Sequence, residues 1–248
     1  MREAMREAMR EAMLLNEEKE QSLWLKNLQS ADHYNDWIFE QFCDWLSGTV
    51  LEFGCGTGNF TTRIASRVDR VVAVDIEPEY VRLAQQNNTR VTNVEFHCLD
   101  VCTHPFSEKF DGIVLLDVLE HIEDDGGVLR QLAALLHPGG RMVIKVPAMP
   151  QLYNAMDRAI GHHRRYDRQS LTRVVRQAGL QPQTLWYCNT LGVLGWWWNG
   201  AVRQKTCAGE GQVGLFNRLV PVLRACERLL PPGFGLSLYC IATATQHP

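Results

Sequence analysis

The sequence predicts an α/β fold in which a mostly parallel β-sheet is covered by helices on both faces. Two observations support this. Short apolar segments alternate with segments of helical periodicity between residues 49 and 147, and acidic residues follow the ends of several apolar segments. Continuous apolar strands are typical of a parallel sheet buried on both faces, and ligands bind such sheets beyond the carboxyl ends of their strands.

The elements follow in order along the chain. Apolar residues at helical spacing predict helices over residues 14–48, with a new helix start at Ala31–Trp37 and an end at Gly48. Strands are then predicted at residues 49–53, 71–74, 94–98, 112–116 and 141–146. The helices between them are predicted at residues 59–67, 78–83 and 127–136, and the last one stops at the His-Pro-Gly-Gly sequence of residues 137–140.

The pattern changes after the fifth strand. A helix is predicted at residues 168–177, capped by Asp167 and ended by Gly179, and strands are predicted at residues 183–187 and 236–244. The stretch between these two strands is far longer than a hairpin needs. We therefore divide the chain into an N-terminal helical extension (1–30), which carries three M-R-E-A repeats, and one domain (31–248) in which residues 190–235 form a lid or interface insert.

Composition excludes several classes of protein. The chain has 248 residues, 46% of them hydrophobic, and a net charge of -3 without a basic block, so a sizeable core is expected and nucleic acid is not an expected partner. No apolar run is long enough for a transmembrane helix. The cysteines include no C-x-x-C pair, which favours a reducing, cytoplasmic location.

No metal site is expected from the sequence. The tightest group of potential ligands comprises His97, Cys98, Cys102 and His104. Its alternation is typical of a strand that runs into a loop, which points the side chains to opposite sides.

The loop V-L-E-F-G-C-G-T-G-N-F at residues 50–60 indicates a nucleotide-binding turn. A dinucleotide fingerprint would need its third glycine at position 59, but that residue is Asn and the glycine comes one place earlier, at Gly58. A diphosphate cofactor needs backbone N–H groups around its oxygens, whereas a cationic cofactor needs acids. Here Glu52 lies on the rim of the loop, and Asp75 follows 17 residues after Gly58.

These acids distinguish between two cofactors. Asp75 can accept hydrogen bonds from two ribose hydroxyls, which fits either NAD or S-adenosylmethionine. The glycine spacing favours S-adenosylmethionine, and so do Glu52 and Asp100. Asp100 follows the third strand and can accept from an adenine amino group, while Glu52 places negative charge near an ammonium group.

Several motifs together resemble class I S-adenosylmethionine-dependent methyltransferases. They are E-F-G-C-G-T-G at 52–58, V-A-V-D at 72–75, the strand-three acid Asp100, F-D-G-I-V-L-L-D-V-L-E-H-I at 110–122 and L-H-P-G-G at 136–140. The resemblance covers about residues 34–179. It implies a Rossmann-like three-layer sandwich with a seven-stranded sheet whose last strand is antiparallel, S-adenosyl-L-methionine as cofactor, and S-adenosyl-L-homocysteine as product.

The same resemblance implies the cofactor-binding residues. Those lining the methionine part are Glu52, Gly54, Cys55 and Gly56, those holding the ribose are Asp75 and Ile76, those flanking adenine are Asp100 and Val101, and those closing the pocket below the sulfonium are Asp117 and Val118. Tyr34, in a Y-N-x-W sequence similar to that of some bacterial members, either covers the cofactor or packs in the core.

Methyl transfer is an in-line displacement, so the protein mainly aligns the reactants and excludes water. A base is needed only if the acceptor must lose a proton. The candidate bases are His162 and His163 in G-H-H-R-R-Y. The candidate substrate residues are Tyr153, Arg164, Tyr166, Trp196 and Trp197, with Arg165 and Asp157 as further candidates. In the alternative, the Arg-Arg-Tyr segment only anchors this loop.

The landmark D-V-L-E-H-I leaves His121 with two interpretations, a residue of the pocket floor or a histidine hydrogen-bonded to backbone. We expect Glu120 and Glu123 to face solvent or to cap the helix that begins near Asp124 and Asp125.

The insert carries three adjacent tryptophans, residues 196–198, which cannot all face one core. It also carries an apolar stripe at residues 215, 219, 222, 223, 226, 229 and 230. A lid over an apolar substrate, contact with a membrane interface, and packing on the sheet or on a second subunit remain open.

The predicted activity is methylation of a small, apolar or aromatic molecule, with oxygen as the first acceptor atom, nitrogen second and carbon third. The segment after strand four lacks the N-P-P-Y or D-P-P-Y sequence, which argues against methylation of adenine in DNA or of glutamine. The alternative function is a non-catalytic sensor or partner subunit that binds S-adenosylmethionine. Peripheral membrane contact and a homodimer are further expectations.

Overall fold

The computed structural model of the protein describes residues 20, 22–23, 25–100, 106, 108–203 and 210–244. Seven strands occur in them: β1 (Thr49–Phe53), β2 (Arg70–Asp75), β3 (Val94–Cys98), β4 (Phe110–Leu116), β5 (Leu136–Pro147), β6 (Leu180–Cys188) and β7 (Ser237–Ala244). They form one sheet in the order β3-β2-β1-β4-β5-β7-β6. The first five strands are parallel, while β7 lies antiparallel between β5 and β6. The predicted mostly parallel sheet with an antiparallel last strand is confirmed.

The described helices are α1 (Asp32–Glu40), α2 (Thr61–Ala65), α3 (Pro78–Asn87), α4 (Asp125–Ala134), α5 (Ala155–Ala159), α6 (Arg168–Gln177), α7 (Thr190–Trp197) and α8 (Glu210–Leu229). Short 3-10 turns occur at Cys43–Trp45, Leu119–His121 and Pro150–Leu152.

Two apolar cores lie on the two faces of the sheet. Because successive strand residues point to opposite faces, Ile113 and Leu115 of β4 belong to one core and Val114 to the other. The first core includes Leu129 of α4 and Leu171 of α6. The second includes residues from α1, α2, α3 and α8: Trp37, Ile64, Ala84 and Val220. This places helices on both faces, as predicted.

Most element boundaries lie close to the prediction. Strands β1 and β3 and helix α6 have the predicted bounds, and the Asp167 carboxylate caps α6 by accepting from the Ser170 N–H at 2.7 Å. Helix α1 ends at Glu40, well before the predicted end at Gly48. The M-R-E-A repeats of the predicted N-terminal extension lie outside the described residues. Of the extension, residues 20, 22–23 and 25–30 are described, and all of these except residue 30 are helical.

The prediction for the segment before β5 was wrong. Helix α4 ends at Ala134, and the strand begins at Leu136 rather than at residue 141, because Leu136 pairs with Phe110 of β4. The ladder shifts register between Phe110 and Gly112. The His-Pro-Gly-Gly sequence is therefore part of the strand instead of a stop after the helix.

The helical elements among the described residues of the insert are α7, a π-helical turn at Trp198–Val202, and α8. The predicted apolar stripe on α8 does not match the packed face. Val220 is buried and Phe216 lies 5.4 Å from Tyr34 of α1 between ring centroids, while Val222 and Leu229 are exposed. The face of α8 that becomes buried is the one that packs against α1. Helical periodicity alone does not show which neighbouring element a helix will pack against.

Within the part of the chain that the structure describes, no helix combines the length and apolarity that crossing a membrane requires. In the sequence group His97, Cys98, Cys102 and His104, which we do not expect to bind metal, His97 and Cys98 are exposed on β3. Cys102 and His104 lie outside the described residues.

Candidate active site

A cavity of about 1430 Å³ lies at the carboxyl ends of β1, β2 and β4 and is covered by α7 and α8. Parallel strands of an open sheet place their ligand sites at this edge. The structure brings most of the predicted residues to its wall: Tyr34, Glu52, Gly54, Cys55, Gly56, Asp75, Ile76, Asp100, Asp117, Val118, His162, His163 and Trp196. Val101 lies outside the described residues.

The glycine loop is fastened to β2. The backbone N–H groups of Gly54 and Cys55 both donate to the Val74 carbonyl, each at 2.9 Å. Gly54 has φ +78°, and a Cβ built there would lie 2.4 Å from Cγ2 of Val118. Glycine is required here because the backbone is left-handed and approaches the segment after β4 closely.

Asp75 at the end of β2 is held by backbone donors. Its Oδ2 accepts from the Gly56 N–H at 2.8 Å, and its Oδ1 accepts from the Glu77 N–H at 3.0 Å. A carboxylate has about four lone-pair sites, so both oxygens retain acceptor capacity toward the cavity. The arrangement can therefore bind a pair of vicinal hydroxyls.

Glu52 at the end of β1 is buried beneath the same loop. Its carboxylate accepts from the Thr61 hydroxyl at 2.5 Å, and only 4% of the residue is exposed. Burial raises the pKa of Glu52 to about 8, against the opposing effect of the Thr61 hydrogen bond. The carboxyl group therefore holds a proton at neutral pH unless a cation approaches it.

This pKa predicts a pH-dependent stability. A folded-state pKa of about 8, above the ordinary value of 4.5, stabilises the fold fully below pH 4.5, and this contribution is lost as the pH rises toward 8. The slope is at most about 1.4 kcal/mol per pH unit. We expect Glu52→Gln to flatten the dependence of the unfolding free energy on pH between 5 and 8, as measured by urea titration without ligand.

Glu79→Gln is the matched control, because Glu79 is exposed and Arg82 lowers its pKa, so it does not titrate in this range. Parallel pH profiles for the native chain and Glu52→Gln would contradict the assignment to Glu52.

Asp117 and Lys145 form an ion pair at the centre of the cavity floor. Asp117 follows β4 with φ +53°, a left-handed conformation that is uncommon for a residue with a side chain. Lys145 of β5 is buried, and its ammonium donates to Asp117 Oδ2. Burial opposes the charge of Lys145, but Asp117 and Tyr34 outweigh it and raise the pKa.

Sequence reasoning missed Lys145. The available signal was a single lysine within the apolar run M-V-I-K-V of a central strand. A buried lysine is rare unless it is paired, so the position itself predicts an acidic partner.

Asp157 organises the loop that follows β5. Its Oδ1 accepts from His162 Nδ1 at 2.8 Å and from Arg165 Nε at 2.7 Å, and its Oδ2 accepts from Trp196 Nε1 at 3.3 Å. The Arg165 guanidinium also lies 4.4 Å from the centroid of the Trp196 ring. Asp157 is fully buried, so the network fixes His162 and joins this loop to the insert.

Three predicted substrate residues are structural instead. The Tyr153 hydroxyl donates to the His162 carbonyl at 2.7 Å, Arg164 pairs with Asp125 at 2.7 Å, and the Tyr166 hydroxyl donates to Asp125 at 2.8 Å. Tyr166 is only 1% exposed. These contacts match the alternative in which the segment anchors its loop, and we correct the substrate assignments accordingly.

The three adjacent tryptophans do not all point in the same direction, as expected. Trp196 lies on the cavity wall, whereas Trp197 and Trp198 are each 49% exposed and are absent from the described wall. The assignment of Trp197 to the substrate is corrected, because the helical rotation turns it outward.

The expectation that Glu120 faces solvent was wrong. Glu120 is 0% exposed, and neither carboxylate oxygen has a hydrogen-bond partner among the described residues. Burial raises its pKa well above the usual range. Glu123, by contrast, is exposed, and Asp124 caps α4 by accepting from the Gly127 N–H at 2.8 Å.

His121 lies beside Glu120 on the cavity wall, which agrees with its interpretation as a residue of the pocket floor. Burial lowers its pKa to about 3, against the opposing hydrogen bond to the Gly161 backbone. Both features proposed for His121 from the sequence are therefore present together.

Comparisons with known proteins agree with this geometry. A family model described as a methyltransferase domain matches residues 2–185. An uncharacterized methyltransferase of Mycobacterium bovis is 36% identical over 130 residues, which cover 51% of this chain and 64% of that protein. A ubiquinone biosynthesis O-methyltransferase of Xanthomonas oryzae is 31% identical over 109 residues, which cover 41% of this chain and 44% of that protein. The chain thus spans less than two thirds of these curated relatives.

A solved structure shares the fold. The N-methyltransferase NodS of Bradyrhizobium japonicum, in complex with S-adenosyl-l-homocysteine, superposes with a TM-score of 0.56 at 17% identity, over 87% of this chain and 86% of that one. Together with the sheet order and the glycine loop, the family match shows that this chain belongs to the class I S-adenosylmethionine-dependent methyltransferases of the methyltransferase domain family.

Proposed function

We propose that the protein transfers a methyl group from S-adenosylmethionine to a small apolar or aromatic molecule. The observation that carries this proposal is the composition of the cavity. Its polar end lies at the glycine loop, and its other end is formed by side chains of the insert: Leu191, Leu194, Trp196, Val213, Leu215, Phe216 and Leu219. A volume of about 1430 Å³ exceeds the usual pocket for one small ligand, about 300–1,000 Å³, and leaves room for donor and acceptor together.

The polar end fits the methyl donor. Asp75 is oriented for the ribose diol by two backbone N–H groups, and the buried Glu52 offers negative charge to the ammonium group. Asp100, Asp117, Val118 and Tyr34 also line the cavity. In this proposal Asp100 lies beside the adenine, Asp117 and Val118 lie below the sulfonium, and Tyr34 covers the cofactor. When bound, the donor supplies an activated methyl group, and the role of these residues is to align it and exclude water.

Oxygen is the proposed acceptor atom, with nitrogen second and carbon third. The printed names of the Xanthomonas relative and of an Aspergillus nomiae relative both describe O-methyltransferases, which supports oxygen. A hydroxyl acceptor must lose its proton, and His162 and His163 both lie on the cavity wall as candidate bases. His163 is the exposed one and His162 is held by Asp157.

The decisive experiment incubates the protein with S-adenosylmethionine and a panel of lipophilic phenols, acids and amines. Formation of S-adenosylhomocysteine together with a methylated product would support the proposal. Tight binding of the donor by calorimetry, without turnover on any acceptor, would support the alternative of a non-catalytic sensor or partner subunit.

A substitution on α8 tests whether the apolar end of the cavity binds the acceptor. We expect Leu219→Gln to raise KM for an apolar acceptor by about 5- to 20-fold, because part of the 1.5–3 kcal/mol for burying a leucine is lost. Val222→Gln is the matched control, since Val222 lies on the same helix, is 64% exposed and is absent from the described wall. Equal kinetics for the two variants, measured on the same acceptor, would argue against a lid role for α8.

The outer face of the insert supports the further expectation of contact with a membrane surface or with a second copy of the chain. It carries exposed apolar side chains at Trp197, Trp198, Val222, Leu229 and Leu230. Sedimentation with and without lipid vesicles distinguishes the two partners. Binding to a membrane surface makes the protein sediment with the vesicles, whereas a dimer forms without lipid.

A further inference from the structure

The carboxylate of Glu120 is completely buried but makes no hydrogen bond with the described residues. Neither of its oxygens has a hydrogen-bond partner among the described residues. Lys145 and Arg165 bring positive charge near it, but the Lys145 ammonium donates to Asp117 and the Arg165 guanidinium donates to Asp157. A buried polar group that makes no hydrogen bond is uncommon, and a bound ion is one explanation for such a group.

Two imidazoles converge on the same carboxylate. His162 Nε2 lies 3.7 Å from Glu120 Oε1, and the rings of His121 and His162 meet edge to face with centroids 4.8 Å apart. One ligand atom from each of the three residues lies within 4.8 Å of the others. Ligand atoms about 2.1 Å from a tetrahedral ion are about 3.4 Å apart, so the three atoms would move closer by up to about 1.4 Å on binding one ion.

The surrounding residues orient both histidines for this role. The Asp157 carboxylate accepts from His162 Nδ1 at 2.8 Å, which leaves Nε2 with its lone pair toward Glu120. His121 is hydrogen-bonded to the backbone of Gly161. A metal-binding histidine characteristically donates its second ring N–H to a carboxylate or a backbone carbonyl, which fixes the tautomer and the direction of the ligand nitrogen.

We propose that Glu120, His121 and His162 form a binding site for a divalent transition-metal ion such as Zn²⁺ or Mn²⁺. Two imidazoles and one carboxylate form a donor set that suits first-row transition ions and leaves coordination positions open. All three residues line the cavity, so the open positions face the space proposed for the acceptor. The proposal replaces our expectation from the sequence that the protein has no metal site.

The site also defines a class of acceptor, and this part rests on the proposed function. An ion at the cavity wall would bind a hydroxyl or phenolic oxygen of the acceptor and favour loss of its proton to His163, the candidate base that remains when His162 binds the ion. The oxygen lone pair then forms the bond to the methyl carbon, the carbon–sulfur bond breaks, and its electron pair remains on the sulfur of S-adenosylhomocysteine. Acceptors with two adjacent oxygens are favoured, because they can occupy two open positions.

The test measures metal binding directly and without turnover. The full chain, stripped with a chelator, is titrated with Co²⁺ and followed by visible absorption, with Zn²⁺ as competitor. We expect one Co²⁺ per chain and a raised Tm with Zn²⁺. Glu120→Gln and His162→Asn are expected to weaken binding by more than about 100-fold, since loss of a residue that only orients a ligand already costs about 10- to 100-fold.

The matched controls are the neighbouring residues Glu123→Gln and His163→Asn, both at exposed positions, which are expected to bind Co²⁺ like the native chain. Glu120→Gln keeps the size of a side chain whose carboxylate makes no hydrogen bond with the described residues, so its metal-free form is expected to fold with an undiminished Tm. If Glu120→Gln and Glu123→Gln bind Co²⁺ equally, or if the native chain binds none at millimolar concentration, the proposal is overturned.

The two proposals fail separately. Metal binding that depends on Glu120, together with no turnover on any acceptor, would contradict only the methyl-transfer function. Turnover that survives chelation and Glu120→Gln, with no Co²⁺ bound, would contradict only the metal site.

Discussion

Replacing Asp157 by alanine is expected to lower the free energy of unfolding by about 3–5 kcal/mol, the usual cost of removing one partner of a buried ion pair. Asp157 is 0% exposed and is the shared acceptor for His162, Arg165 and Trp196. Its removal leaves the Arg165 guanidinium, itself only 5% exposed, without its carboxylate. Burial lowers the pKa of Arg165, and Asp157 opposes this effect by stabilising the charged guanidinium. Without Asp157, the cost of burying that charge is no longer offset.

Urea denaturation of the native chain, Asp157→Ala and Asp157→Asn measures this effect. The asparagine variant keeps the size and an acceptor oxygen, so we expect it to be destabilised less than the alanine variant. Asp36→Ala is the control, because Asp36 pairs with Arg63 at the surface at 2.9 Å and such pairs contribute about 0–1 kcal/mol. Equal losses for Asp157→Ala and Asp36→Ala would show that the buried network contributes nothing special.

Replacing Asp75 by alanine is expected to weaken the binding of S-adenosylmethionine by at least roughly 100-fold. Hydrogen bonds to a charged group contribute about 1.5–3 kcal/mol each, and we propose two of them between Asp75 and the ribose hydroxyls. The backbone donors of Gly56 and Glu77 fix the carboxylate before the cofactor arrives, so little ordering is needed on binding.

Calorimetric titration with S-adenosylhomocysteine gives the dissociation constants for this comparison. Asp75→Asn keeps one acceptor oxygen and should fall between the native chain and Asp75→Ala. Gln86→Ala, at an exposed position of α3 that is not part of the described cavity wall, should bind like the native chain. An unchanged dissociation constant for Asp75→Ala, with an unchanged urea midpoint, would remove Asp75 from the cofactor site and with it the proposed orientation of the donor.

Much of the fold could be predicted because its signals are local. The strands are visible as apolar runs, and the carboxyl ends of these runs carry acids of the cavity wall, such as Glu52 and Asp75. The order of motifs then fixed the family. Boundaries that depend on pairing were less predictable: Leu136 extends β5 only because Phe110 lies beside it.

The acceptor side of the site was less accessible to sequence reasoning. Arg164 and Tyr166 have the chemistry of substrate-binding residues, but partners on α4 hold them in place. Glu120 has the composition of a solvent-exposed residue, yet a 3-10 turn directs it into the interior. Residues brought together from distant parts of the chain, such as Glu120 and His162, give no signal in sequence spacing.

The sequence by itself determined the alternation of strands and helices, the glycine loop and the acids that follow the strands, because hydrophobic periodicity and backbone conformation act over a few residues. Only the tertiary structure decided which side chains face the cavity, which are buried in ion pairs, and that an unpaired carboxylate meets two imidazoles. Those outcomes depend on burial and on contacts between different segments, some of them about 40 residues apart, such as Glu120 with His162 and Asp157 with Trp196, and neither is encoded by local spacing.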